Sequence, residues 1–250
     1  MKSEQTKSNT QTQYSSRVFN ADCVDLLRQM RQASVDFVLT DPPYLVNYAS
    51  RDGRTVPNDD NDAWLKPAFR EVYRVLRRNR FCVSFYGWQV ADRFLVAWRE
   101  AGFRVAGHIT FVKPYSSRVR FLRYQHENAY LLVKGNPRKP AHAIPDVLRW
   151  EYSHNELHPT QKPVCVLTPL IAAFSNPGDV VLDPFCGSGS ALVAAQQQGR
   201  HAVGIELDAR YYAAARDRVR QLPTCPNVKD ARTPMLLAVG DVVGSATNRL

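Results

Sequence analysis

The sequence predicts an α/β protein built on an open, mainly parallel sheet. Two observations carry this. Short β-rich runs alternate with amphipathic helical patterns from about residue 17 to residue 222, the sequence mark of such a sheet. Further on, VVLDPFCGSGSALVAA passes from a buried strand through an acidic residue and a Gly-rich turn into a helix.

The N-terminal half offers a strand near Arg17–Phe19, a helix over Cys23–Arg31 and the strand VDFVLT ending at Thr40. A longer helix follows over Ala63–Arg78, with Trp64, Ala68, Phe69, Val72, Val75 and Leu76 at helical spacing, as a core face requires. After the strand FCVSF come a helix over Val90–Trp98 and strands at Phe103–Val112 and Asn128–Val133. The C-terminal half continues with a helix over Val164–Phe174, the strand DVVLD, a helix over Ser190–Gln198, the strand HAVGIE and a last helix to about Leu222.

Residues 1–16 are polar and can bury almost nothing, so they are expected to form a tail, as is the proline-bearing stretch 223–250. Between them one domain is expected over 17–222, with a catalytic half at 17–134, a small insertion at 135–157 marked by Pro137, Pro140 and Pro145, and a cofactor half at 158–222.

With 250 residues, 44% hydrophobic and 22% charged, the chain can bury one good-sized core. Its formal charge of +10 suits a polyanionic partner such as nucleic acid. Cys23, Cys82, Cys165, Cys186 and Cys225 never take the two-residue spacing of zinc or redox motifs, and the six histidines show no metal spacing, so no metal is expected. The polar N-terminus lacks a signal-peptide stretch and no segment has the length of a membrane span, which points to a cytoplasmic protein with no membrane partner.

Two sites stand out. Gly187 and Gly189 let the backbone approach a ligand, and Glu206 ends a strand about 23 residues after Asp183, where α/β nucleotide sites place a ribose-binding carboxylate. A pyrophosphate would be repelled by Asp183 at the mouth of this loop. A ligand with an ammonium and a sulfonium, S-adenosylmethionine, suits it better.

Asp41, Pro42, Pro43 and Tyr44 follow VDFVLT directly and so sit at the carboxyl edge of the sheet. A carboxylate beside the Pro42 carbonyl can grip the two hydrogens of an amino group. An aromatic amino nitrogen is a poor nucleophile, and two acceptors would polarise it and hold it in line for transfer. Tyr44 offers a stacking surface for a base turned out of a duplex, a role that needs a ring and no hydroxyl.

DPPY at Asp41–Tyr44, HPTQKP at His158–Pro163 and DPFCGSG at Asp183–Gly189 resemble the catalytic, flanking and cofactor motifs of the DNA amino-methyltransferases. Their order resembles the circularly permuted beta group of that family, and YLVNYASRDGRT and SFYGW resemble short plasmid- and phage-borne adenine methylases. The likeness covers about Val18–Leu222. It implies a Rossmann-like S-adenosylmethionine-dependent fold with a mostly parallel sheet and a small inserted loop region.

It also implies that Asp22 and the backbone at Cys23 meet the cofactor adenine, Asp183 and the loop Phe185, Cys186, Gly187, Ser188 and Gly189 its amino acid end, and Glu206 its ribose. Thr160 and Lys162 would lie near its methionine moiety, and Arg123–Gly135 would line the target-base pocket. The acidic first residue of DPPY favours adenine over cytosine-N4. The same chemistry would serve cytosine or a protein glutamine amide, and a silent DNA-binding protein could keep the fold.

In KPYSSRVRFLRY, Lys113, Arg118, Arg120 and Arg123 alternate with Tyr115, Phe121 and Tyr124 just before His126, a mixture suited to phosphates and to bases in distorted DNA. The run RVLRRNR at Arg74–Arg80 has a helix-dipole reason to be basic. Only about 24 residues separate Val133 from His158, too few for a recognition domain, so a very short or relaxed DNA site is expected. The sequence leaves a homodimer and a cognate restriction enzyme open.

Overall fold

The computed structural model describes residues 16–48, 53, 55–151 and 157–222. In chain order it has β1 (Arg17–Asn20), α1 (Cys23–Gln29), β2 (Val35–Thr40), α2 (Leu65–Val75), β3 (Leu76–Phe85), a 3-10 turn at Trp88–Val90, α3 (Ala91–Ala101), β4 (Arg104–Val112), β5 (Arg118–Val119), β6 (Arg123–Tyr124), β7 (His126–Lys134) and β8 (Val147–Arg149). It then continues with α4 (Val164–Phe174), β9 (Val180–Asp183), α5 (Ser190–Gln197), β10 (His201–Glu206) and α6 (Ala209–Gln221). The expected tails, apart from Ser16, lie outside the described residues, as does part of YLVNYASRDGRT.

Eight strands form one sheet in the order β1-β10-β9-β2-β3-β7-β4-β8, and all pair in parallel except β7, which is antiparallel to β3 and β4. β2 is buried at all six positions because it pairs on both sides and is covered on both faces. Alternation along the strands feeds two cores. Val38, Cys82, Leu182 and Leu132 join the core under α1, α2 and α3, while Phe37, Leu39, Val83 and Val181 join the core under α4, α5 and α6. The α/β class and the mostly parallel sheet thus stand as the sequence has them.

Two boundaries differ. The helix expected over Ala63–Arg78 stops at Val75, and Leu76 is already extended at ψ 135° and pairs with Val35. Between Leu76 and Phe81 the register shifts, and Asn79 adopts φ +59°, which Asn tolerates better than most residues. The basic run is therefore largely strand rather than helix end. Arg77 and Arg80 pair with the buried Asp36, which also accepts from the Val180 N–H at 3.1 Å. Only Arg74 occupies a last helical turn, where it donates to the Leu27 and Met30 carbonyls at the end of α1. The expected insertion also contributes β8 to the sheet edge, parallel to β4.

Candidate active site

Five neighbouring strands deliver the site to one edge. β1, β10, β9, β2 and β3 run the same way, so the residues at and just beyond their carboxyl ends meet: Asp22 after β1, Glu206 at the end of β10, Asp183 at the end of β9, Asp41 after β2 and Phe85 at the end of β3. The register places Gly204 opposite Asp183 and Asn20 opposite Glu206. The loop before α4 closes over this row with His158, Thr160, Gln161 and Lys162. Together they line a cleft of about 1150 Å³ measured out to its open mouth, large enough for a nucleoside-sized ligand beside a second group.

The sequence-predicted cofactor residues converge on this cleft, since Asp22, Cys23, Thr160, Lys162, Asp183, Phe185, Cys186, Gly187, Ser188 and Glu206 all line it. Gly189 stands just outside it at the N-cap of α5, with φ +85°. A Cβ there would meet Ala215 of α6 at 3.0 Å, so glycine serves both the backbone and the helix packing. Gly187 has φ +51°, and a Cβ there would meet the His158 ring at 3.4 Å. The Cys186 N–H donates to the Ile205 carbonyl at 3.0 Å and moors the loop on β10. Its thiol, like that of Cys23 at about 12, is raised by burial and is no nucleophile at neutral pH.

Backbone amides hold the carboxylates of this side. The Phe185 N–H donates to Asp183 Oδ1 at 3.1 Å, and Glu206 accepts from the Gly187 and Asp208 N–H groups, both at 2.8 Å. Burial pushes Asp183 up to about 8, and the charges of Asp41 and Glu206 add to the rise. Glu206 is also raised, again by burial first. A row of carboxyls held above their ordinary range is a seat for a cation. Asp22 caps α1 by accepting from the Val24 and Asp25 N–H groups at 2.8 and 3.2 Å, which fixes the start of α1 at the cleft wall.

Lysines hold the carboxylates of the other side. Lys162 Nζ donates to Asp41 Oδ2 at 2.6 Å and lies over the Tyr44 and Phe85 rings at 5.1 and 5.0 Å. Lys162, expected beside the methionine moiety, thus joins the catalytic motif to the flanking motif. Burial raises Asp41, with Lys162 working against it. Its Oδ1 is shielded from solvent and has no hydrogen-bond partner among the described residues. The Tyr44 hydroxyl, which stacking alone would not need, donates to Glu127 Oε2 at 3.2 Å. Glu127 is lowered by Lys162 and Lys113 in spite of its burial.

Three positioning groups carry no role that the sequence singles out, although Gly87 falls within SFYGW. Asp59 is buried and accepts from the Leu45 and Tyr48 N–H groups at 2.7 and 2.6 Å, which shapes the chain leaving Tyr44. Gly87 lies so close that a Cβ would collide with the Tyr44 carbonyl oxygen. Glu127 falls within the stretch expected to line the base pocket, and only its pairing with Tyr44 singles it out.

The residues expected on DNA do not stay together. Lys113 is buried, paired with Glu127 and set over the Trp150 ring at 5.2 Å, so it is not on the exposed basic surface. A 14-residue sequence separation hides that partner. Tyr115 packs against the core, and Tyr124 stacks on Trp88 at 5.8 Å. Arg120, Arg123 and His126 are exposed, and Arg118 lies in β5. Among the described residues no group of His, Cys, Asp and Glu could hold a metal, and no helix is long and apolar enough to cross a membrane.

Comparison with known proteins agrees with this geometry. YubD of Escherichia coli (strain K12), which carries a methylase name, is 51% identical over 204 residues, spanning 82% of this chain and 90% of that one. The structure of TTHA0409 from Thermus thermophilus, a DNA modification methylase by name, solved with S-adenosyl-L-methionine, matches at TM-score 0.65 and 26% identity over 85% of this chain and 96% of that chain. The cytosine-N4-specific PvuII DNA methyltransferase shares the fold at TM-score 0.68 and 20% identity, over 83% and 87% of the two chains. The N6/N4 family profile described as DNA methylase matches residues 35–217, and this chain belongs to that family.

Proposed function

We propose that the chain transfers a methyl group from S-adenosylmethionine to the exocyclic N6 of adenine in DNA, with residues 17–222 as the methyltransferase domain. The observation that carries this is the opening of both motifs into one cleft, with Asp41 and Tyr44 beside the carboxyl row of Asp183 and Glu206. The acidic first residue of the motif favours adenine over cytosine.

The residues fit the cofactor. Asp183 would meet its ammonium, Glu206 its ribose hydroxyls and the backbone of Phe185–Gly189 its amino acid end, while Asp22 and Cys23 would border its adenine. When bound, it supplies a methyl group on a positively charged sulfur. The free Oδ1 of Asp41 and the Pro42 carbonyl accept the two N–H groups of the target base, which turns the nitrogen lone pair toward that methyl. Lys162 keeps Asp41 charged by neutralising its other oxygen. Tyr44 stacks on the turned-out base, and its hydroxyl bond to Glu127 fixes the ring plane. As the C–N bond forms and the C–S bond breaks, the amino nitrogen sheds one proton, which Asp41 is placed to accept.

Phosphate contacts from exposed arginines would dominate DNA affinity, with a short or relaxed recognition site and steep salt dependence. The test is to incubate unmethylated DNA with methyl-labelled S-adenosylmethionine, digest it to nucleosides and separate them. Label in N6-methyladenine is the expected result. Label in N4-methylcytosine would reassign the base, and label in neither would overturn the reading.

A further inference from the structure

The ladder between β4 and β7 does not end at the sheet. Beyond its last pair, Val112 with His126, it continues as the Lys113 N–H donates to the Gln125 carbonyl at 2.7 Å and the Ser117 N–H to the Tyr124 carbonyl at 2.9 Å. The β5–β6 pairs follow, Arg118 with Tyr124 and Val119 with Arg123, and the Arg120 N–H donates to the Leu122 carbonyl at 3.1 Å. Phe121 is therefore the tip of an arm. Because β7 is antiparallel to β3, with Ala129 opposite Phe85, the arm leaves the sheet at the carboxyl edge, where the cleft lies.

The arm's aromatic residues have separate fates. Tyr115 packs into the core and Tyr124 is braced by Trp88. Phe121 is fully in water at 101% relative exposure, and Leu122 and Val119 follow at 68% and 66%. Exposed Arg120 and Arg123 flank this tip. An apolar point between guanidinium groups matches one surface in particular, a nucleic-acid duplex, where an apolar base step lies between two lines of phosphate. The arm is also continuous with the site, since Glu127, one residue past its base, holds the Tyr44 hydroxyl.

We propose that Phe121, backed by Leu122, enters the base stack of duplex DNA and fills the space that the target base leaves as it turns out toward Tyr44. This rests on the reading of the chain as a DNA methyltransferase. Unstacking a base step opposes the reaction on a duplex and is largely absent on a single strand. The wedge therefore matters only where there is a stack to open.

The experiment measures methyl transfer by the full chain and its F121A and F121W variants on mixed-sequence duplex DNA and on the same DNA denatured and rapidly cooled. Permanganate oxidation of thymines in the bound duplex reports unpaired bases. We expect F121A to be on the order of tenfold or more slower on duplex, within about twofold of wild type on denatured DNA, and without enhanced permanganate reactivity. F121W should keep the wild-type pattern. Equal loss on both substrates, or F121A matching wild type on duplex with its permanganate enhancement intact, would overturn the wedge while leaving the methylation reading in place. A wild-type chain inactive on both forms of DNA would overturn that reading itself.

Discussion

The two sides of the cleft hold their carboxylates by different means. On the cofactor side Asp183 and Glu206 accept from backbone N–H groups fixed by a strand end and a glycine turn. On the catalytic side Asp41 and Glu127 are held by the long side chains of Lys162 and Lys113. Backbone donors cannot reorient without moving the sheet, so the cofactor side is preorganised and spends little on ordering when its ligand arrives. Lysine ammonium groups can swing and share. The catalytic side can thus exchange one partner for a substrate amino group and still keep its charge balance.

The largest effect should come from disturbing the catalytic side through the backbone. A Cβ at Gly87 must displace the Tyr44 carbonyl, and a displacement near 1 Å at reacting groups costs about 10²-fold in rate. Gly87→Ala should therefore lower turnover by about that factor with cofactor affinity nearly unchanged, as titration calorimetry and labelled methyl transfer would show. Equal damage to both would mean that the two sides are mechanically one.

Next in size is Lys162→Met. Without the ammonium, Asp41 is buried beside the negative charge of Glu127, so its pKa, already raised, must climb further. A protonated Asp41 no longer accepts at both oxygens. The rate at neutral pH should fall about 10- to 100-fold and recover as the pH rises and Asp41 ionises. A pH–rate profile parallel to that of wild type would remove Lys162 from this role.

The cofactor side has its own pH signature, smaller in size. Asp183 lies near 8 in the free protein, so at pH 7 it is mostly protonated and must ionise to meet an ammonium. Affinity for S-adenosylmethionine should rise by roughly tenfold between pH 6 and 7, where the ligand's own amino group stays largely protonated, and binding should release a proton. Calorimetry in buffers of different ionisation enthalpy measures that proton. Proton uptake, or affinity flat across this window, would show that Asp183 is not the ammonium's partner.

The same division governs what could be read from the sequence. The buried strands VDFVLT and HAVGIE, the glycine turn and the position of Glu206 follow local rules of periodicity and backbone freedom, and that wall of the cleft was legible from them. The apolar spacing of α2 also held, but its C-terminus did not, because Leu76 is drawn into the sheet by Val35 and Arg77 and Arg80 by Asp36. β8 is three residues long and exists by pairing with β4, and β5 and β6 are shorter still.

Lys113 shows the limit most clearly. In sequence it is one more cation in a basic stretch, while in space it is the buried partner of Glu127. Ion pairs between distant strands have no local signature, and the catalytic side depends on them.

The central claim is that Asp41 acts on the amino group and takes no part in holding the cofactor. Asp41→Asn keeps the size of the side chain and removes the charge, so measuring S-adenosylmethionine affinity and the single-turnover methylation rate on the same variant tests the claim most directly. The account expects affinity within about threefold of wild type and a rate lower by on the order of 10²-fold or more. A variant that methylates DNA at close to the wild-type rate, or one that loses the cofactor in proportion to its activity, would contradict it.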